Sequence, residues 1–491
     1  MQTNPVQGTA VILGAGPAGL AAGLALARAG WSVDVFEQDQ VVGGLARTVV
    51  AGDFRFDIGG HRWFTKKDHL NQFLIDVLGD ELIMVDRTSR IYFDGKYVDY
   101  PLRVRNVLKR IGPATSARAV GDFMVSKVAG AVVRKPVVSM EDAYVAQFGQ
   151  TLYELFFRRY SEKVWGGTCD QLSGDWVDQR SKGLCLPTVI KDAIRPGQSG
   201  MESLIEQFMY PRLGFGRLSE RMAVQIRSLG GRVHVGHRAT AVQHDGRRVT
   251  GVSISDGGGE SIVQADAFLS SIPMTRLAQI FCPAAPTEVN SAARSLTYRD
   301  LVTVNLMVNR QQVSADTWMY VHDQRVRFAR LHEPRNWSPA MAPEGKTSLV
   351  LEFFCDVGDH LWQQSDEAIC NLAVDDLVNH LGFIERHEVI DAFAIRSKNA
   401  YPRYTLDYAE QVGVIKRHLR SFDNLAIVGR GGTFRYNNTD HAIETGLIAA
   451  GRLLGETGDI ELVNSEREYL ERRPAPGLAA AGAPVRIPGA A

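Results

Sequence analysis

Hydrophobic and polar residues near the start of the chain follow an order typical of a strand, a helix and a second strand. The short apolar run Ala10–Leu13 predicts a buried strand, and three glycines follow it closely. A stretch rich in alanine and leucine then predicts a helix that ends near Gly30, a residue suited to a helix C-terminus. The segment "WSVDVFE" alternates between apolar and polar residues and predicts a second strand, which ends at Glu37.

Two later segments have related patterns. Residues 214–273 predict a helix, a Gly-Gly turn, a strand and then a pair of strands. Residues 424–454 predict a short apolar strand, a polar turn and a helix. Both segments therefore favour an α/β arrangement like that of the first segment.

The stretches between these segments predict a different kind of structure. Residues 86–199 begin with the hairpin "RIYFDGKYVDY", in which Asp94-Gly95 separates two alternating strands, and continue as mainly helical sequence. Residues 299–395 contain the strand-like runs "LVTVNLMVN" and "TSLVLEFF" and a helical pattern. Residues 471–491, in a tail rich in alanine, proline and glycine, are expected to be disordered.

The composition is that of an ordinary globular protein. Of the 491 residues, 45% are hydrophobic and 22% are charged, and Lys+Arg and Asp+Glu both number 55. This balance gives no overall field that would favour nucleic acid, so an anion site must be local. No apolar run approaches the ~18–20 residues needed to span a bilayer. The uncharged N-terminus and five cysteines without C-x-x-C spacing indicate a cytoplasmic protein with reduced, buried thiols.

The glycine-rich turn after the first strand predicts a dinucleotide site. Gly14, Gly16 and Gly19 fit G-x-G-x-x-G, a spacing that lets the backbone approach a pyrophosphate at a helix N-terminus. Glu37 stands at the spacing from which a carboxylate accepts both ribose hydroxyls. A glycine triplet also occurs in tight turns without a ligand, but here the strands, the helix and the terminal acid agree.

A second polar turn lies within "NLAIVGRGGTFRYNNTDHAIETG", between a predicted strand and a predicted helix. It contains Gly429, Arg430, Arg435, Tyr436 and Asp440. Because ligands bind beyond the carboxyl ends of the strands in a doubly wound sheet, we expect this turn at the ligand site. Arginine forks suit phosphate oxygens, so Arg435 and Tyr436 are candidates for contact with a diphosphate. The alternative is a structural ion pair between Arg430 and Asp440 that braces the turn.

Short segments along most of the chain resemble two groups of FAD proteins. The pattern Gly43-Gly44-x-x-Arg47 resembles the second phosphate-contacting element of amine-oxidase and protoporphyrinogen-oxidase-like proteins. The segment Asp57–Thr65 is similar to a segment beside the flavin in the UDP-galactopyranose mutase family, with His61 on that family's first histidine. Four further segments are also similar to segments of that family: "DGKYVDYPLRVRN", "RRYSEKVWGG", "AYPRY" and "VGRGGTFRYNNTDH". The residues of this chain that match the family there are Tyr160, Lys163, Trp165, Tyr401, Arg430, Tyr436 and Asp440.

The resemblance implies a fold and a cofactor. The fold is α/β, with a Rossmann-like (glutathione-reductase-type) FAD-binding domain and an inserted mixed α+β substrate domain. The FAD-binding domain would comprise residues 1–85, 200–298 and 396–460, and the substrate domain residues 86–199 and 299–395. The expected FAD contacts are Gly14, Gly16, Gly19, Glu37, Gly43, Gly44, Arg47, Gly429 and Asp440.

The resemblance also implies an activity. It indicates a redox-neutral pyranose/furanose mutase-type reaction on a nucleotide sugar, in which reduced FAD is the nucleophile and an external reductant is needed. Arg430 and His61 would be catalytic, and the substrate would be bound by Tyr160, Trp165, Tyr401, Arg435 and Tyr436. No metal site is expected. Gly60, Phe64, Phe434 and Thr439 depart from the family pattern, which leaves the sugar open.

Other interpretations of these residues stay open. His61 could hydrogen-bond the backbone near the flavin instead of taking part in catalysis. Trp165 could belong to the core instead of stacking on a nucleobase. The alternative activity is that of an FAD-dependent oxidase, dehydrogenase or desaturase, which would remove hydride from an amine, a porphyrinogen or a lipid-like substrate.

Overall fold

A computed structural model describes residues 7–100, 112–132, 136–180 and 207–465, and the expected tail at 471–491 lies outside the described residues. The helices are α1 (Pro17–Arg28), α2 (Asp68–Leu78), α3 (Pro113–Val132), α4 (Met140–Phe148), α5 (Gln150–Leu152), α6 (Arg159–Trp165), α7 (Asp175–Arg180), α8 (Arg217–Ser228), α9 (Met274–Gln279), α10 (Thr287–Ser295), α11 (His360–Gln363), α12 (Asp366–Asp376), α13 (Tyr408–Leu419), α14 (Gly429–Thr433) and α15 (Thr439–Leu453). The strands are β1 (Thr9–Leu13), β2 (Ser32–Phe36), β3 (Thr48–Ala51), β4 (Phe54–Asp57), β5 (Leu82–Asp86), β6 (Ser89–Phe93), β7 (Lys96–Tyr100), β8 (Gln207–Pro211), β9 (Arg232–His234), β10 (Arg238–His244), β11 (Val249–Ser255), β12 (Glu260–Val263), β13 (Ala267–Ser270), β14 (Phe281–Cys282), β15 (Tyr298–Val308), β16 (Trp318–Val321), β17 (Arg330–His332), β18 (Thr347–Cys355), β19 (Val389–Pro402) and β20 (Leu425–Ile427).

A five-stranded parallel sheet contains the two strands predicted near the start of the chain. Its order is β20-β13-β1-β2-β9, so β1 lies at the centre and strands from the two later segments complete it. Strand β1 is buried from Ala10 to Leu13. This burial explains its continuous apolar run, because strands of a parallel sheet are covered on both faces.

Helices α1 and α15 pack against each other beside this sheet through small residues. A Cβ added to Gly446 in α15 would lie 2.2 Å from the carbonyl oxygen of Ala18 in α1. The two backbones therefore meet with no room for a side chain. This contact brings the turn before α15 to the first glycine turn, since α1 begins directly after that turn.

A four-stranded sheet of order β12-β11-β10-β14 follows the helix α8 and the strand β9. Strands β10, β11 and β12 are joined as antiparallel neighbours. The helix, the strand and the strand pair predicted for residues 214–273 are therefore confirmed.

A seven-stranded sheet of order β19-β15-β18-β17-β16-β6-β7 forms the other large layer. Its central strands β15 and β18 are buried along their whole length, in line with the apolar runs predicted there. Helix α12 packs on one face of it through residues such as Ile369 and Ala373. The domain boundary predicted at residue 396 falls inside β19, so residues 396–402 belong to this sheet because they pair with β15.

Three features of the described residues bear on the expectations from composition. Among the described residues, no helix combines the length and the apolar character needed to cross a bilayer. The same residues contain no group of three or more His, Cys, Asp or Glu side chains that could hold a metal ion. Cys169, Cys355 and Cys370 are buried as expected, but Cys282 is exposed.

Candidate active site

The first glycine turn forms a cradle that excludes side chains. Gly14 has a φ of +96°, which favours glycine, and a Cβ on Gly19 would lie only 2.1 Å from the carbonyl oxygen of Gly14. Gly16 is the N-cap of α1, and a Cβ added there would meet nothing within 4 Å. The turn therefore presents open space at a helix N-terminus, which suits the pyrophosphate of a dinucleotide.

The second glycine pair lies against this cradle. The amide of Gly43 donates to the carbonyl of Ala15 over 2.8 Å, and Gly43 has a φ of +108°. Arg47 donates to the carboxylate of Asp39 over 3.1 Å and to the carbonyl of Gly44 over 3.2 Å. The arginine predicted to contact phosphate thus already has an anionic partner at the edge of the site.

Glu37 directly follows β2, one residue beyond the strand end that the sequence predicted, and is only 8% exposed. Its carboxylate accepts hydrogen bonds from the amides of Ala15 and Asp39, over 2.8 and 3.0 Å. Burial raises the pKa of this carboxyl, although the amide donors act in the opposite direction. The carboxylate is thereby held beside the glycine cradle, where the expected ribose would lie. The glycines and this acid together fit FAD.

The turn before α15 fixes Arg430 in one orientation. Arg430 donates through Nε to the carbonyl of Asn437 over 2.8 Å and through Nη1 to the carbonyl of Ala400 over 3.2 Å. Its guanidinium carbon also lies 5.1 Å from the ring centre of Tyr401 and 5.2 Å from that of Tyr436. Cations are attracted to such ring faces. Arg430 is therefore a fixed cation beside two tyrosine rings.

The alternative ion pair between Arg430 and Asp440 is wrong. Asp440 is buried in the first turn of α15, and its carboxylate lies 3.7 Å from Nε2 of His441. Asn438 is the N-cap of that helix, and its backbone amide donates to Nδ1 of His441 over 3.3 Å. Gly429, with a φ of +74°, begins α14, and a Cβ added there would lie 2.9 Å from Cβ of Ala18. The turn is thus braced by close packing and helix capping.

The structure directs Arg435 away from this cluster. Its Nη1 donates to the carbonyls of Glu461 and Val463, over 2.7 and 2.8 Å. Tyr436, in contrast, is stacked on Tyr401 at 5.4 Å between ring centres. The residue before them, Phe434, has a φ of +50°, which separates the directions of the neighbouring side chains. The substrate contact predicted for Arg435 therefore has no geometric support.

A second buried arginine, Arg330, was missed by the sequence analysis. Its Nε donates to the hydroxyl of Tyr160 over 3.2 Å, and its Nη1 lies 3.4 Å from the carboxylate of Glu352. The guanidinium carbon lies 4.8 Å from the ring centre of Phe354, and that ring packs against Tyr401. Arg330 and Arg430 thus flank one group of aromatic rings.

The side chains of Arg330 and Glu352 are largely shielded from water, so their charges act strongly on neighbouring groups. Only 15% of the Arg330 side chain and 1% of the Glu352 side chain are accessible. Burial opposes the charge of Arg330, but Tyr160 and Glu352 outweigh it and hold its pKa above the ordinary value. Burial raises the pKa of Tyr401, so this tyrosine keeps its proton as a hydrogen-bond donor. In the sequence, the visible sign of a buried polar site here was Glu352, a single acid inside the apolar run "TSLVLEFF".

His61 lies beside this group as a neutral imidazole. Its Nδ1 is 3.2 Å from the carbonyl of Gly59, which can only accept, so Nδ1 carries the proton and Nε2 is the acceptor. Burial lowers the pKa of His61 to about 4, and the charge of Arg430 adds to this effect. The backbone contact anticipated for His61 is therefore present, and Nε2 remains the nitrogen able to take a proton.

The two aromatic residues predicted on α6 have different environments. Tyr160 stacks on His322 at 4.2 Å and reaches Arg330, so it borders the arginine group. Trp165 is 3% exposed and packs edge-on against Trp176 and Tyr436. The structure therefore places Trp165 in the core, where it supports Tyr436, in agreement with the alternative raised for it.

Comparisons with known proteins bear on the family and the fold of this chain. The family described as flavin containing amine oxidoreductase matches residues 17–454. A crystal structure of reduced UDP-galactopyranose mutase is similar over 94% of this chain and 98% of its own, with a TM-score of 0.78 and 21% identity. A protein assigned as a protoporphyrinogen oxidase from Exiguobacterium sp. 255-15 is similar over 92% and 100%, with a TM-score of 0.70 and 17% identity.

A curated relative matches only a short part of the chain. The 1-hydroxycarotenoid 3,4-desaturase of Flavobacterium sp. (strain P99-3) is 36% identical over 101 residues. This match spans 20% of the present chain and 21% of the desaturase. The structural similarities, all below 25% identity, concern the fold alone.

Proposed function

Because this chain belongs to the flavin-containing amine oxidoreductase family, it is an FAD-dependent enzyme, and we propose that it acts on a nucleotide-activated sugar. The predicted fold class and cofactor are thereby confirmed. The proposed reaction is a redox-neutral exchange between pyranose and furanose forms, for which an external reductant keeps the flavin reduced. The domain boundaries and the residue roles given below are part of this proposal.

One observation carries the proposal. The guanidinium groups of Arg330, which is largely buried, and of Arg430, which is partly buried, flank the same aromatic cluster, in which Tyr401 and Tyr436 are stacked. Two fixed cations with tyrosine hydroxyls nearby suit a diphosphate, because guanidinium forks match phosphate oxygens. The attraction between these cations and the diphosphate would be strongest when the diphosphate departs from the sugar, because the negative charge of the diphosphate then increases.

The chain's own residues have separate parts in this proposal. Gly14, Gly19 and Glu37 would hold the pyrophosphate and ribose of FAD, and bound FAD in its reduced form supplies the nucleophile. Arg330 and Arg430 would bind the diphosphate and stabilise its charge. Nε2 of His61, the acceptor nitrogen of a neutral ring, would hold a proton from a sugar hydroxyl.

The alternative function is an FAD-dependent oxidation or desaturation. The sequence match to the carotenoid desaturase favours it. The polar cluster opposes it, because a hydrocarbon substrate could form no hydrogen bond or ion pair with the guanidinium groups of Arg330 and Arg430 and would gain nothing from their charges. We therefore place the mutase-type reaction first.

Two measurements test the choice between these functions. Titration with UDP should change the flavin absorption spectrum and raise the melting temperature of the protein. Incubation of the dithionite-reduced protein with a panel of nucleotide sugars should then give isomerised product, detected by NMR. If millimolar nucleoside diphosphates leave both the spectrum and the melting temperature unchanged, the mutase proposal fails and the oxidoreductase function takes its place.

A further inference from the structure

Lys163 is a charged residue to which the proposed function assigns no part. It lies on α6, three residues after Tyr160, so the two side chains share one face of the helix. Its ammonium group donates to the main-chain carbonyls of Val321, Asp323 and Val326, over 3.2, 3.2 and 2.6 Å. An ammonium group has three protons, so these contacts match its whole donor capacity.

The three carbonyls belong to one turn, residues 322–329, and to the strand residue just before it. The turn joins β16 to β17, and Arg330 is the first residue after it. The buried carboxylate of Asp376 also accepts the amide of Arg327, in the same turn, over 2.7 Å. The turn is thus held by α6 through Lys163 and by α12 through Asp376.

The strand pairing extends this hold to the cluster around the arginines. Tyr320 pairs with Arg330 across β16 and β17, and Arg330 pairs with Glu352 across β17 and β18. The same helix face that carries Lys163 also carries Tyr160, whose hydroxyl contacts Arg330. A shift of the turn relative to α6 would therefore move the Arg330 guanidinium relative to Tyr160.

We propose that Lys163 is a positioning residue, which sets the place of Arg330 for the diphosphate by holding the β16–β17 turn against α6. The proposal rests on the diphosphate site assigned above. Lys163 is not a catalytic residue, because each of its donors is directed to a carbonyl of the turn. Burial lowers the pKa of its ammonium group to about 7, while Asp376 and Asp323 act in the opposite direction.

The test compares Lys163→Met with Lys416→Met. Methionine keeps an unbranched chain and removes the ammonium group. Lys416 is the matched control, since it is a largely buried lysine, 12% accessible, bound to Glu461 away from the turn. Lys163→Met should weaken UDP binding about tenfold or more, because small misplacements of a binding group are costly. Lys416→Met should leave UDP affinity within about twofold, and both variants should retain FAD.

A double-mutant cycle separates positioning from general stability. If Lys163 acts through Arg330, Lys163→Met should weaken UDP binding no further in an Arg330→Met background. Hydrogen exchange should also show faster exchange of the amides in residues 321–330 in Lys163→Met and normal exchange there in Lys416→Met. If Lys163→Met does not fold, Lys163→Gln, which loses the charge and the reach to three carbonyls, replaces it.

The outcomes are distinguishable. Unchanged UDP affinity in Lys163→Met, or an equal loss with and without Arg330, would overturn the positioning role. Unchanged exchange in residues 321–330 would overturn it as well. A wild-type protein that binds neither UDP nor another nucleoside diphosphate would refute the nucleotide-sugar proposal instead, and the exchange experiment would still decide whether Lys163 holds the turn that leads to Arg330.

Discussion

Replacing Arg430 by methionine removes the guanidinium group and keeps a long unbranched side chain in the same place. The change deletes hydrogen bonds to the carbonyls of Asn437 and Ala400 and the contacts with two tyrosine rings. A hydrogen bond from a charged donor is worth about 1.5–3 kcal/mol, so loss of the two bonds should lower the free energy of unfolding by about 3–6 kcal/mol. The FAD contacts at the first glycine turn are not altered.

The loss in catalysis should be larger than the loss in cofactor binding. Removing one preorganised group that stabilises developing charge costs about 10²–10³-fold in turnover. We therefore expect Arg430→Met to lose at least about a hundredfold in isomerisation rate while its flavin content stays near that of the wild type. The assay is NMR of the reduced protein with the nucleotide sugar that the wild type isomerises in the proposed screen, together with the flavin-to-protein absorbance ratio after gel filtration.

The neighbouring arginine provides the control. Arg435→Met also deletes two hydrogen bonds to carbonyls, those of Glu461 and Val463, and should cost similar stability. It should leave the spectral response to UDP and the turnover nearly unchanged, because Arg435 is directed away from the cluster. Equal loss of turnover in both variants, or loss of flavin before loss of turnover in Arg430→Met, would refute the assignment of Arg430 to the substrate.

Three further variants test the cofactor site and a buried histidine. Glu37→Ala should weaken FAD retention by about 1–3 kcal/mol, because ribose hydroxyls and two buried amides lose their acceptor, and Glu37→Gln should retain more flavin in the same gel-filtration assay. Gly19→Ala should abolish FAD binding, since its Cβ would clash with the carbonyl of Gly14, and a yellow variant with wild-type affinity would contradict this. His332 is 2% exposed, and burial, with a smaller effect of His61, lowers its pKa to about 3. Between that pH and 6.5, the ordinary pKa of histidine, the unfolded state binds more protons than the folded state. The free energy of unfolding therefore decreases as the pH falls, by up to about 1.4 kcal/mol per pH unit from this histidine. The stability advantage of wild type over His332→Gln in urea unfolding should therefore shrink from pH 7 to pH 5.

The parts of the fold that could be predicted are those with local signals. The strand–helix–strand unit from β1 to Glu37 is confirmed. It could be predicted because glycine spacing, helix pattern and apolar runs all lie within one short segment. The turn before α15 was also recognisable, since Arg430 and Tyr436 lie close together in sequence. The direction of Arg435 was not predictable, because it depends on the positive φ of Phe434 and on residues near 461.

The second arginine of the site depends on contacts between distant strands. Arg330 lies in "RVRFARLHEP", a basic stretch that looks like protein surface. It becomes buried only because β17 pairs with β18 and places it beside Glu352. A single sequence contains no signal for that register. Trp165 illustrates the same limit, since its core position depends on Trp176 and Tyr436.

The close contact between α1 and α15 has a consequence for the order in which the chain folds. The cradle formed by Gly14–Gly19 is made early in synthesis, but α15 and the edge strand β20 leave the ribosome only after the strands of the seven-stranded sheet. Pairings between such distant segments form slowly, because the intervening loop must close first. We therefore expect cofactor loading to follow translation of nearly the whole described chain, and fragments that stop before Gly446 should not retain flavin.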